Sequence, residues 1–278
     1  ATGYDLTHLL VGSEGTLALI VEATLRLAPR PRAQAGLRVL YRDAASAAAA
    51  VSRVMAQPAT PTTLEFMDAR SLELLRGNGA QVPDAGAMLL IDADGDDDTL
   101  PNILHALAQA AEGEGLLALD VAMDGSAREQ LWAARRALSP ALRRIAPGKI
   151  NEDVVVPVSR IPELVAGVQA LSARFELPIV TFGHAGNGNL HVNILYHPDD
   201  AGQNARAHAA LPEVFALALA LGGTLSGEHG IGLAKRAFMA QAFTPATLAA
   251  MRAIKRALDP DDILNPGKVL PDAEAAHR

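Results

Sequence analysis

Two histidines and an asparagine stand close together in TFGHAGNGNLHVNIL, residues 181–195. The run reads as two strands joined at Asn187-Gly188, the dipeptide that favours a type I′ hairpin turn. Counting outward from a two-residue loop sets His184 opposite His191 and Phe182 opposite Asn193. Opposed residues have Cβ atoms ~4.5–5.5 Å apart. His184, His191 and Asn193 then share one face, while Val192 and Ile194 point to the other. Two imidazoles so placed can share a divalent metal. A cross-strand histidine pair on a polar sheet face is the plainer alternative, and spacing alone leaves both open. His197 has the same parity but lies ~20 Å farther along at ~3.3 Å per residue, so it is set aside.

A carboxylate completes such a site best, and GGTLSGEHGIGLAKR, residues 222–236, offers Glu228 beside His229. Gly223, Gly227, Gly230 and Gly232 around them permit positive φ and close backbone approach. Two histidines and one carboxylate suit zinc, manganese or iron. Neighbouring side chains in a loop can point apart, so Glu228 can serve the metal while His229 faces a substrate. The glycines of GHAGNGN do not form a phosphate cradle on this reading, because the segment leads into a strand and not into a helix N-terminus.

The elements that must carry these residues follow from the rest of the chain. Strands are expected at GLRVLYR, TPTTLEFMD, GAMLLIDADG, LLALDVAMD and NEDVVVP, and helices in the segments between them. Asp43 caps the first of these helices, and acidic residues 96–98 favour the first turn of another. Pro140 and Pro212 fall inside helical runs and kink them. The hairpin requires antiparallel pairing. The expected class is therefore α+β, an antiparallel sheet with helices on one face, of the ferredoxin-like cap or substrate-domain kind. HLLV and TLALIVEATLRL read as strands, and APRPRAQ as a linker. Domain divisions are expected at 1–32, 33–222 and 223–278.

Composition narrows the chemistry. The chain has 278 residues, a formal charge of −7 and no cysteine. Thiolate metal sites, cysteine nucleophiles and disulfides are excluded, and the basic footprint of a nucleic-acid binder is missing. No apolar run reaches the ~20 residues of a membrane helix, and no secretory signal pattern opens the chain. The start, ATGYDL, has no initiator Met and runs at once into LLVGSEGTLALIVEATLRL, which suggests the C-terminal piece of something longer.

GHAGNGNLHVN, SGEHGIGLAKR and LDPDDILNPGKVL, in that order, resemble the C-terminal half of flavin-linked D-2-hydroxy acid dehydrogenases. That family includes D-lactate and D-2-hydroxyglutarate dehydrogenases and the glycolate oxidase catalytic subunit. HLLVGSEGTLALIVEATLRLAPRP resembles the end of their flavin-binding domain. The resemblance implies a divalent metal, zinc above all, on His184, His191 and Glu228. It implies His229 as catalytic base and Asn193 as a substrate contact. It makes Arg135 the arginine that grips the substrate carboxylate, with Ser139, a departure from the threonine of some members, and Lys149 beside it. FAD would be held mostly by a domain upstream, with Gly12, Ser13, Glu14, Gly15 and Thr16 as the rim of its site and Asn265 returning towards it.

The chemistry is coherent. Oxidising a 2-hydroxy acid needs a hydride acceptor, which is the flavin's part, a base near neutral pKa and a fixed cation for the carboxylate. The resemblance further implies a small 2-hydroxy acid substrate and an electron acceptor such as a quinone, a cytochrome or an electron-transfer flavoprotein. A cytoplasmic protein, at most peripheral to a membrane, and a homodimer are compatible with it. Two other readings stay open: a metal-dependent hydrolase on His184, His191 and Glu228, and a non-catalytic binding fragment.

Overall fold

A computed structural model describes residues 2–272. The chain divides into two compact units, Pro29–Gly223 and the residues up to Ala28 together with those from Thr224 onward. In chain order the elements are α1 (Leu6–Leu10), β1 (Ala33–Tyr41), α2 (Ala44–Ala56), β2 (Thr63–Asp68), α3 (Ala69–Gly77), β3 (Ala87–Gly95), α4 (Leu100–Ala111) and β4 (Leu116–Ala122). They continue with α5 (Gly125–Ala141), β5 (Gly148–Val155), α6 (Ile161–Phe175), β6 (Ile179–Gly183), β7 (Asn189–Tyr196), α7 (Ala201–Ala220), α8 (Met239–Ala242) and α9 (Pro245–Leu258).

The larger unit is built on one seven-stranded sheet in the order β4-β1-β3-β2-β6-β7-β5. Every neighbouring pair is antiparallel, as the sequence led us to expect. Helices cover more than one face. The Tyr41 hydroxyl reaches the Ala111 carbonyl at the end of α4, while Leu40, one residue earlier, packs with Leu72 and Leu75 of α3 and Leu138 of α5. Successive strand residues point to opposite faces, so α3 and α5 lie opposite α4.

Caps set the helix starts. Asp43 accepts from Ser46 N and opens α2, and Asp124 accepts from Ala127 N and opens α5. Asp68 does more: Oδ1 accepts from Ser71 N to start α3, and Oδ2 accepts from Thr181 N, pinning β6 beside β2. Acidic residues 96–98 fall outside the first turn of α4, whose N-cap is Thr99. Pro140 and Pro212 do lie inside α5 and α7.

The smaller unit departs most from expectation. HLLV is not a buried strand: Leu6–Leu10 forms the short helix α1, started by Asp5 accepting from His8 N. Residues 17–28 have no strand pairing, and Leu19, Val21, Leu25 and Leu27 are more than three-quarters exposed. Aliphatic residues signal a strand only where a neighbouring strand takes up their backbone groups, and none of the described residues does. In GLAKRAFMAQAF only α8, with a 3-10 turn before it, is helical, whereas α9 runs unbroken from Pro245 to Leu258.

Candidate active site

The β6–β7 hairpin exists, but its register is two residues away from the one a two-residue turn predicts. Phe182, not His184, pairs with His191, and Val180 pairs with Asn193. The loop is longer because Ala185–Asn187 closes a 3-10 turn on His184, with Asn187 N and Asn189 N both donating to the His184 carbonyl. Gly188 ends that turn at φ 77°, and a Cβ there would stand 1.9 Å from the Val156 carbonyl oxygen, so only glycine fits. A shift of two preserves parity. The rings of His184 and His191 still meet, with centroids 5.3 Å apart and planes at 80°. Their ligand atoms lie within 4.8 Å of one another.

The strand register brings in a residue the sequence reading missed. Phe66 pairs with Gly183 and Met67 with Phe182, and one further step sets Glu65 beside His184. Glu65 is 2% exposed. Its Oε1 is hydrogen-bonded to His184 Nδ1, and its Oε2 accepts from Arg135 Nε at 2.6 Å. Burial works to raise the Glu65 carboxyl, but the His184 hydrogen bond and the Arg135 charge outweigh it and hold it below the usual carboxylate range. The signal was present in TLEFMD, where one acid interrupts an apolar strand. A buried acid needs partners, and here both come from the candidate site.

Arg135 is thus tied to a carboxylate of its own chain. Its guanidinium also lies 4.7 Å from the centre of the Phe182 ring, a cation–π distance. Among the described residues its only hydrogen bond is through Nε, which leaves the two terminal nitrogens as a fork for an anion. Ser139, one turn along α5, is exposed. Asn193 is 1% exposed, and its Nδ2 donates to the carbonyls of Val180 and His191, so only its oxygen can serve a ligand. Lys149 is paired in register with Leu195, as Asn151 is with Asn193 and Asp153 with His191. All these side chains therefore share the His191 face. Burial, with the nearby Arg143 charge, lowers the Lys149 pKa.

In the smaller unit Glu14 ties the segment 12–16 to the glycine-rich loop and to Asn265. Its Oε1 accepts from Ile231 N at 2.7 Å and its Oε2 from Gly232 N at 2.8 Å. Its carbonyl accepts from Asn265 Nδ2 at 2.7 Å. The side chain expected to touch a flavin is therefore spent on the glycine-rich loop. Thr16 closes its own turn on the Ser13 carbonyl, and Gly12, Glu14 and Gly15 all have positive φ. Gly230 has φ 79°, and a Cβ there would meet the Glu14 carboxyl carbon at 2.9 Å. Ser226 Oγ accepts from Gly230 N, and Lys235 Nζ donates to the Leu225 carbonyl. Glu228 and His229 do not point wholly apart, since Oε1 and Nε2 are 3.9 Å from each other. Asn265 is presented by a turn that Asp259 builds: Asp259 accepts from Ile263 N and Leu264 N and pairs with Lys255.

Among the described residues no helix is long and apolar enough to cross a membrane. Several curated proteins are similar in sequence. The chain is 37% identical over 270 residues to the glycolate oxidase subunit GlcD of Bacillus subtilis, covering 96% of this chain and 57% of that protein. It is 32% identical to a D-lactate dehydrogenase of Anaerostipes hadrus, covering 97% and 59%. It is 35% identical to a D-2-hydroxyglutarate dehydrogenase of Xanthomonas citri pv. viticola, covering 99% and 59%. The chain thus spans somewhat over half the length of the curated relatives it matches. The fold matches a 4-ethylphenol oxidase from Gulosibacter chungangensis at a TM-score of 0.67 and 14% identity, over 89% of this chain and 56% of that one. The model of the C-terminal domain of FAD linked oxidases matches residues 30–269, and this chain belongs to that family.

Proposed function

We propose that this chain is the substrate- and metal-binding half of a flavin-dependent dehydrogenase that oxidises a D-2-hydroxy acid to the 2-oxo acid. The single observation that carries the reading is the Glu65 cluster. One buried carboxylate joins a histidine of a facing pair to an arginine with two free prongs. The three relatives named above act in keeping with it, by their names, on glycolate, D-lactate and D-2-hydroxyglutarate.

The donor types fit a divalent metal. His184 and His191 supply two imidazoles, and the Glu65 carboxylate beside Nδ1 leaves His184 Nε2 as the ligand atom. Glu228 is the proposed third ligand, and zinc the proposed metal. When bound, the metal would act as a Lewis acid on the substrate oxygens. FAD, when bound, would accept the hydride. The loop Gly12, Ser13, Glu14, Gly15 and Thr16, with Asn265, is the proposed rim of its site, offering backbone groups because the Glu14 side chain is already engaged.

The chain's own residues do the rest. Arg135 grips the substrate carboxylate through its terminal nitrogens. Lys149 adds a second cation, which a bound anion would restore towards its ordinary pKa. Asn193 accepts from the substrate through Oδ1, and Ser139 lies one helical turn from Arg135. His229 takes the hydroxyl proton. Electrons leave by a quinone, cytochrome or electron-transfer flavoprotein.

The test is dye reduction by the protein carrying this chain, loaded with FAD and zinc, on paired D- and L-2-hydroxy acids. Turnover of one D-acid is expected, with kcat down about 100-fold or more in H229A, the scale of a lost general base. Metal-dependent hydrolysis of esters without flavin, and no reduction by any hydroxy acid, would replace this reading with a hydrolase.

A further inference from the structure

Resting on that reading of the site, we infer that Glu65 is a positioning residue that couples the metal ligand His184 to the substrate arginine Arg135. Three observations carry it. First, Glu65 has two oxygens and each holds a different partner, His184 Nδ1 on one and Arg135 Nε on the other. Second, it is anchored on β2, where register with β6 sets it next to the residue that leaves the strand at His184. The carboxylate is therefore fixed by the sheet, while both partners sit on elements that need fixing: His184 at the entry of a turn and Arg135 on a helix.

Third, polar contacts fix the rotation of that helix, beside the apolar packing of Leu131, Ala134 and Leu138. In α5 only Leu138 and Ala141 are buried. Arg128 and Trp132 both donate to Asp92 on β3, at 2.8 Å each, and Arg135 donates to Glu65. These three residues follow one stripe of the helix. Two buried carboxylates thus locate the face of α5 that carries Arg135, and Glu65 alone among the two also touches the histidine pair.

The chemistry is specific. A charged carboxylate at Nδ1 requires a proton there and leaves the Nε2 lone pair for a metal. The same charge draws Nε of Arg135 and leaves its other two nitrogens for a planar anion. A glutamine cannot do both, because its nitrogen would face one of two donors.

The test uses three readouts. Nitrogen NMR of His184 in the metal-free protein reports the tautomer. Competition with a chromophoric chelator reports zinc affinity. The KM of the 2-hydroxy acid reports Arg135. In wild type the Nδ1–H form of His184 is expected to dominate. E65Q is expected to mix the tautomers, weaken zinc binding about 10–100-fold, as losing a hydrogen-bond partner behind a ligating histidine does, and raise KM. H191A weakens zinc without altering the His184 tautomer. E65D, which keeps the charge but withdraws it by one methylene, reads the same quantities should E65Q fail to fold. An unchanged tautomer and unchanged zinc affinity in E65Q would overturn the inference and leave the metal reading standing. A tautomer shift in E65Q, with zinc bound equally weakly by wild type and H191A, would overturn the metal reading while still supporting Glu65 as the residue that orients His184.

Discussion

Glu65 and Glu14 hold parts of the candidate site in opposite ways. Glu65 belongs to the larger unit, is 2% exposed and holds two side chains from a sheet strand. Glu14 belongs to the smaller unit, is half-buried on a loop and holds two backbone amides. A carboxylate that binds side chains fixes charges and tautomers, and one that binds amides fixes the path of the chain. Losing the first should disturb chemistry and stability together, and losing the second should loosen a loop.

The largest expected effect tests the first half of that contrast. E65Q leaves an Arg135 side chain that is only 13% exposed without its counter-charge. Breaking a buried pair costs ~3–5 kcal/mol, and the lower end, about 3 kcal/mol, is expected because the His184 side chain, at 40% exposure, can turn to water. Urea unfolding measures it; a cost under about 1 kcal/mol would show that Glu65 holds no buried charge. Next comes G230A. It forces a side chain into positive φ and against the Glu14 carboxyl, for about 2 kcal/mol. Faster hydrogen exchange at the Ile231 and Gly232 amides, with the sheet amides unchanged, is the signature of a loop effect.

E14Q is milder. One oxygen remains to accept, so roughly 1 kcal/mol is lost, and the same two amides should exchange about fivefold faster. Equal exchange in the variant would mean that the carboxylate does not secure the loop. The smallest effect is at Lys149. Its pKa is lowered by burial and by Arg143, so between the folded value and 10.5 the unfolded chain binds more protons and stability rises with pH. K149M should remove that alkaline slope and add less than about 1 kcal/mol at neutral pH, since water screens a group this exposed. It should also raise KM for the acid, opposing the gain in stability.

Much of this was legible in the sequence. The strands and helices of the larger unit follow their apolar periods, and the cap read at Asp43 opens α2. His184 and His191 were found because Asn187-Gly188 marks a hairpin. Their exact register was not, because the 3-10 turn at Ala185–Asn187 depends on Gly188 approaching Val156, the residue just after β5 and far away along the chain. Parity rescued the pairing of the rings. Glu65 stayed hidden for a related reason: its partners lie 70 and 119 positions away along the chain. Its one local mark is an acid in an apolar strand. The extended run at 17–28 shows the converse failure, since aliphatic composition alone does not supply a strand's hydrogen-bond partner.

The central claim is tested most directly by anaerobic bleaching of the bound flavin with paired D- and L-2-hydroxy acids, before chelation, after it and after zinc is restored. The account predicts that one D-acid reduces the flavin, that chelation stops it and that zinc brings it back. Reduction that ignores the chelator, or no reduction by any 2-hydroxy acid, would contradict it.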